Sequence, residues 1–103
     1  MDASPPDVEE LVERRARELR AEGLRYAAAV SALAQELYLH ERGKETRLGA
    51  MGLARGVLHP LLRGANLGES LFSKSKKGKA QTIGALETLI SAWVAGIYEK
   101  ASP

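Results

Sequence analysis

Residues 79–100, KAQTIGALETLISAWVAGIYEK, decide the fold. Ile83, Leu86, Ile90, Trp93, Val94 and Ile97 recur at three- and four-residue spacings, with Leu89 and Tyr98 at the margins of the stripe. At 3.6 residues per turn these positions share one wide face, so the spacing predicts a helix with an apolar side to bury. The apolar run from Ile83 to Tyr98 is broken by Glu87, Thr88 and Ser91. It is shorter than the roughly 20 residues that a bilayer span demands, which favours a core helix over a membrane helix.

Upstream, the same period predicts three partners for it. Residues 24–42 place Tyr26, Val30, Leu33, Leu37 and His40 on one side, with Ala27, Ala28, Ala29, Ala32 and Ala34 adding helix propensity. Residues 7–22 carry a narrow stripe of Val8, Leu11, Val12 and Leu19. Their start is signalled twice, by Ser4-Pro5-Pro6-Asp7 and by Asp7-Val8-Glu9-Glu10, both capping-box patterns. Glu10–Arg14 and Glu13–Arg17 are ion pairs in the favourable four-residue order, and the other charges of this helix read as a solvated face. Gly23 reads as a left-handed C-terminal cap that folds Leu24 back on Leu19, and Gly43 closes the next helix. A third helix is expected over 46–59, capped by Thr46 and carrying Leu48, Met51, Ala54, Leu58 and Leu61. Gly49, Gly52 and Gly56 lie inside it and are read as points of close packing, while Pro60 should kink or stop it near His59. Residues 64–78, punctuated by Gly64, Asn66, Gly68 and Gly78, are expected to form a basic loop. No segment alternates with the period of a strand. The expectation is an all-α, single-domain antiparallel bundle of about four helices, spanning 1–103, with the basic loop before the last helix.

The whole chain has 103 residues, room for one core. Its 45% hydrophobic content suits a globular fold, and with 5% aromatics that core relies on close helix contact. Absence of cysteine excludes disulfides and thiolate metal sites. The opening residues Met1-Asp2-Ala3-Ser4-Pro5-Pro6 lack the basic and apolar regions of a signal peptide, so a cytoplasmic location is expected.

Catalytic patterns fail on inspection. His40-Glu41-Arg42-Gly43-Lys44 starts like a metalloprotease helix but lacks the second histidine. A di-iron bundle wants glutamate three residues before histidine, and Leu37 stands there. His40 reads as a helix-end cation and His59 as a packing residue before Pro60. Gly78-Lys79 resembles the end of a phosphate-binding P-loop, but Ser73 and Ala80 occupy the positions that require glycine and Ser or Thr. Neither catalytic nor metal-ligating residues, and no cofactor or small-molecule substrate, are expected.

Charge is more informative. Residues 1–45 hold ten acids and seven bases, whereas residues 46–103 hold three acids and eight bases. Lys74, Lys76, Lys77 and Lys79 crowd just before the last helix, whose start is already electropositive, so an anion would relieve them. With Arg47, Arg55 and Arg63 they form a candidate surface for a nucleic-acid backbone, giving salt-dependent contact with little base specificity. Phe72 could stack on a base or anchor the loop. The bland alternative is a solvated Lys/Ser/Gly connection. No helix sets a strongly basic face opposite bulky apolar residues, so a membrane partner is not expected.

In size, helical content and one-sided basic charge, the chain resembles the small helical subunit of multi-subunit CRISPR effector complexes. That resemblance implies a non-catalytic subunit that contacts nucleic acid and docks on partner proteins, or on itself, through helical faces. It rests on no diagnostic motif, so it transfers no residue role. Two other readings stand beside it. One is a helical adaptor or oligomerisation module using the glycine and alanine faces with Leu67, Leu71 and Phe72. The other is a helix-turn-helix domain built around Gly43.

Overall fold

Asp7 opens the first element: its carboxylate accepts a hydrogen bond from the Glu10 N–H at 2.8 Å, the N-cap arrangement, and α1 follows over Val8–Ala21. The computed structural model describes residues 7–63 and 72–100, with Lys100 as backbone alone. The Ser4-Pro5-Pro6 half of the capping signal and the 64–71 part of the expected loop lie outside the described residues. The remaining elements are α2 (Tyr26–Glu41), α3 (Arg47–Ala50), α4 (Leu58–Leu62) and α5 (Lys76–Lys100), with no strand among the described residues. An all-α single-domain bundle is what the sequence predicted.

Three glycines turn the chain. Gly23, Gly43 and Gly52 have φ of 100°, 88° and 108°, a region closed to most side chains. After each, the next amide reaches back to a helix carbonyl: Leu24 to Leu19, Lys44 to Leu39 and Leu53 to Leu48, all at 3.0 Å. This is the Schellman arrangement, which satisfies carbonyls that a helix end would otherwise leave open. The first two reversals match the sequence reading.

The third corrects it. Instead of one helix over 46–59 there is a single turn, α3, then a reversal and the short α4. Gly52 and Gly56 (φ 84°) take left-handed backbone, so they end structure rather than pack within it. Gly49 alone fits the close-packing expectation, because a Cβ there would lie 3.2 Å from His40 Nδ1. The helix does not stop near His59 either. Pro60 is the third residue of α4, where its missing N–H would have had no helical acceptor. A four-residue α3 is too short for a recognition helix, which removes the helix-turn-helix reading.

α5 starts at Lys76, three residues before the predicted boundary, and packs across α1 and α2. Leu86, Ile90, Val94 and Ile97 are buried against Leu11, Val12, Leu33 and Leu37, and Trp93 and Ile83 flank them half-buried. Each fully buried Leu or Ile side chain contributes roughly 1.5–3 kcal/mol. At 25 residues α5 exceeds the apolar run read from sequence, and Lys76–Glu99 meets the length and hydropathy of a bilayer span. In this fold its apolar stripe covers the other two long helices. Two tyrosines fix the antiparallel register of α2 and α5. Tyr26 Oη donates to the Ser91 carbonyl at 3.1 Å, Tyr98 Oη donates to Leu24 at 2.5 Å, and the rings meet edge-on at 6.0 Å. Burial raises the Tyr98 phenol pKa, and Arg20 opposes the shift. Tyr26 itself is 38% exposed, so it is a rim residue and not the inward one its spacing suggested.

Candidate nucleic-acid interface

The antiparallel register brings the last turn of α2 to the first turn of α5, and a short clasp joins them. Phe72 is its centre. The ring is buried, 6.0 Å from the Tyr38 ring and 4.9 Å from His59, so it anchors this segment and does not offer a stacking face. Its backbone is left-handed (φ 61°), a conformation that costs a non-glycine residue roughly 1–2 kcal/mol. Surrounding contacts hold it there. Its N–H donates to the buried Thr82 hydroxyl at 3.3 Å, and its carbonyl accepts from Arg42 Nη1 at 3.3 Å. The Tyr38 hydroxyl donates to the carbonyl of the next residue, Ser73.

From this anchor the chain folds over the start of α5. Ser75 Oγ accepts from the Gly78 N–H at 3.0 Å, which makes Ser75 the N-cap. Gly78 is buried under Ser73, and a Cβ on it would stand 2.7 Å from Ser73 Cβ. The glycine read as loop punctuation therefore permits a close approach inside a helix. Lys76, Lys77 and Lys79, assigned by sequence to a loop or a helix boundary, lie on the first turn of α5, with Lys74 in the bend before it. All four are exposed, and among the described residues none pairs with a carboxylate. Lys79 Nζ lies 5.6 Å from the Tyr38 ring centroid, a cation–π distance.

The three arginines divide. Arg55, in the α3–α4 connection, donates from Nε to the His40 carbonyl at 3.2 Å, which ties it to the end of α2. Next to it, the Gly56 N–H donates to both Glu41 carboxylate oxygens at 2.8 and 2.9 Å. Arg63 ends α4, the helix whose His59 touches Phe72, and is exposed. Arg47 belongs to a different group. Its Nε and Nη2 donate to Glu18 at 3.2 and 2.8 Å. Glu18 also bonds Arg15, and Arg15 reaches Glu36 at 3.1 Å. Glu36 in turn accepts from the Leu48 N–H at 2.6 Å, one of the open amides at the start of α3. The hydrogen bond from Arg47 is the main cause that holds the Glu18 carboxyl at about 2, below its ordinary 4.5; burial opposes it, and the hydrogen bond from Arg15 with the charges of both arginines more than offsets that opposition. Burial alone would lower the Arg15 pKa, but Glu36 and Glu18 outweigh it and raise it.

Sequence reasoning missed Arg42 and the clasp tyrosine Tyr38, whose roles depend on the antiparallel register. It also read the charges of α1 as solvated, while Arg15 and Glu18 bridge three helices. Of the two i,i+4 pairs expected on α1, Glu10–Arg14 forms at 3.3 Å and Glu13–Arg17 does not. Among the described residues no three His, Cys, Asp or Glu side chains gather as metal ligands. Comparison with known protein families, curated proteins and solved structures returns no match.

Proposed function

We propose that this chain is a non-catalytic, nucleic-acid-contacting structural subunit of a nucleoprotein assembly, holding the phosphate backbone on Lys74, Lys76, Lys77 and Lys79, with Arg55 and Arg63 as further exposed cations. The observation that carries the reading is the set of four exposed lysines without carboxylate partners, mounted on a segment clasped to α2 by Tyr38, Arg42 and Phe72. Cations at the positive end of a 25-residue helix are locally unfavourable, and phosphates would offset that cost. Such contacts position a strand without reading its sequence. A small subunit of a CRISPR effector complex, working in the cytoplasm, is an assembly this chain would suit in size, helical content and charge. Arg47, occupied by Glu18, is left out of the proposed surface.

Fluorescence anisotropy with labelled single- and double-stranded DNA and RNA over a salt series tests this. Wild type should bind with steep salt dependence. Changing the four lysines to alanine should abolish most of the binding and flatten the slope of log K against log salt by about 3 units. Absence of binding at low salt, or binding indifferent to the substitutions, would overturn the reading. The second reading, a protein adaptor, draws on the exposed Leu39 and Leu61 (41% and 43%). Leu67 and Leu71 lie outside the described residues and Phe72 is buried, so the stretch first expected to serve it is not supported. Single exposed leucines are ordinary, which ranks it second. Salt-independent self-association by sedimentation would favour it.

A further inference from the structure

His40 occupies the last turn of α2 and is 4% exposed, yet neither ring nitrogen has a hydrogen-bond partner among the described residues. An unmade hydrogen bond at a buried polar group costs about 1–3 kcal/mol; among the described residues the other buried polar residue, Thr82, is bonded to Phe72, and the half-buried Gln81 also has an unpartnered Oε1. The histidine expected at this helix end is thus buried, with no protein partner for its ring among the described residues. It borders a hollow of about 370 Å³, lined also by Lys44, Thr46, Gly49, Leu53 and Arg55. That volume lies in the lower part of the range that small-ligand sites occupy.

The lining divides by chemistry. Leu53 supplies an apolar wall. The two imidazole nitrogens are hydrogen-bonding positions that a heterocyclic edge can meet. Lys44 and Arg55 stand at the rim against one acid, Glu45, leaving an excess of one positive charge. The Arg55 Nε bond to the His40 carbonyl holds its guanidinium there with the terminal nitrogens uncommitted to that bond. Glycine at position 49 lets the α3 backbone approach the ring, since a Cβ would come within 3.2 Å of Nδ1 and 3.3 Å of Thr46 Oγ1. Tyr38 and Arg42 stand two residues either side of His40, so the hollow and the lysine-bearing clasp lie on different faces at the same end of α2.

We propose that this hollow seats one unpaired nucleotide: its base packs on Leu53 and turns the edge of the His40 imidazole toward itself, and its phosphate meets Lys44 and Arg55. The inference rests on the nucleic-acid reading above and adds a second, base-holding point to a backbone-holding surface. The same chemistry is shared by a free mononucleotide and by a residue within a strand, and both serve as probes.

The protein has two histidines, so a carbon–proton spectrum of the imidazole Cε1–H groups contains two signals. At fixed pH, adenosine monophosphate should displace the His40 signal saturably and leave His59 in place, whereas ribose 5-phosphate at equal concentration should do neither. The displacement should persist in the variant with the four lysines changed to alanine. It should weaken severalfold in affinity in Arg55→Gln and Lys44→Gln, two exposed positions whose folding is checked by circular dichroism. A single-stranded oligonucleotide should displace His40 as well. If that oligonucleotide binds by anisotropy while His40 does not move, the nucleotide seat is wrong and the backbone reading stands. If the oligonucleotide does not bind but the mononucleotide displaces His40, the backbone reading fails and the seat survives. Equal displacement by ribose 5-phosphate would make the hollow a bare phosphate site and overturn the proposal.

Discussion

Two groups of charged residues in this molecule use their charge in opposite ways. Between α1, α2 and α3, Arg15, Glu18, Glu36 and Arg47 form a chain in which each cation meets a carboxylate and one carboxylate oxygen caps the Leu48 amide. At the start of α5, Lys74, Lys76, Lys77 and Lys79 point outward with no such partners among the described residues. Both groups hold four charged side chains in or beside helices. The first spends its charge on the fold and the second leaves it for something else. Pairing, not count, separates structural charge from binding charge.

If that division is correct, the largest stability effect belongs to the paired group. Glu36→Ala takes the Nε partner from the largely buried Arg15, which keeps Glu18, and opens the Leu48 amide, and should cost about 2 kcal/mol in urea denaturation. Its binding to nucleic acid, measured on the folded population, should not change. A loss below about 0.5 kcal/mol would mean that the cluster is decoration, on the scale of ordinary surface substitutions. Tyr38→Phe comes next: removing the hydroxyl from the Ser73 carbonyl should cost about 1 kcal/mol and weaken anisotropy binding by loosening the lysine segment. Unchanged binding with lowered stability would separate the clasp from the surface it carries.

The pH test is smaller. Because the folded Glu18 carboxyl titrates at about 2 and its unperturbed value is 4.5, its stabilisation is complete above about pH 4.5 and is lost as pH falls toward 2. Glu18→Gln should remove that part of the acid-dependent loss in melting temperature, by under about 1 kcal/mol because the side chain is a third exposed. The smallest effect is expected from the four-lysine variant, whose stability should stay within about 0.5 kcal/mol of wild type while binding is lost. A substantial change in stability would place the lysines in the paired class.

What was legible in the sequence follows the range of the interactions. α1, α2 and α5 were visible because their apolar periods are local, and the Gly23 and Gly43 reversals because a glycine after the last periodic residue has one common use. The stretch after Thr46 misled because Leu48, Leu58 and Leu61 happen to keep a helical period, and nothing in the string tells a packed glycine from a left-handed one. Gly49 proved to be the first kind, Gly52 and Gly56 the second. The lysine cluster was found by composition, but its base was not, since Arg42 and Phe72 are thirty residues apart and meet only through the antiparallel register. His40 was correctly put on the inward face of α2, while the empty space beside it arises from the α3 turn that the sequence concealed.

The three glycine reversals also set a schedule. Gly23, Gly43 and Gly52 let α1, α2 and α3 meet through near neighbours in the chain, whereas α5 reaches α1 and α2 only across long sequence separations. A ribosome delivers the amino-terminal hairpin first, with Leu33 and Leu37 still lacking the cover of Leu86 and Ile90. During translation the nascent chain therefore passes through a sticky interval that ends when the last helix emerges. Stalled chains lacking α5 should accordingly brighten a dye that reports exposed apolar surface, and full-length chains should not.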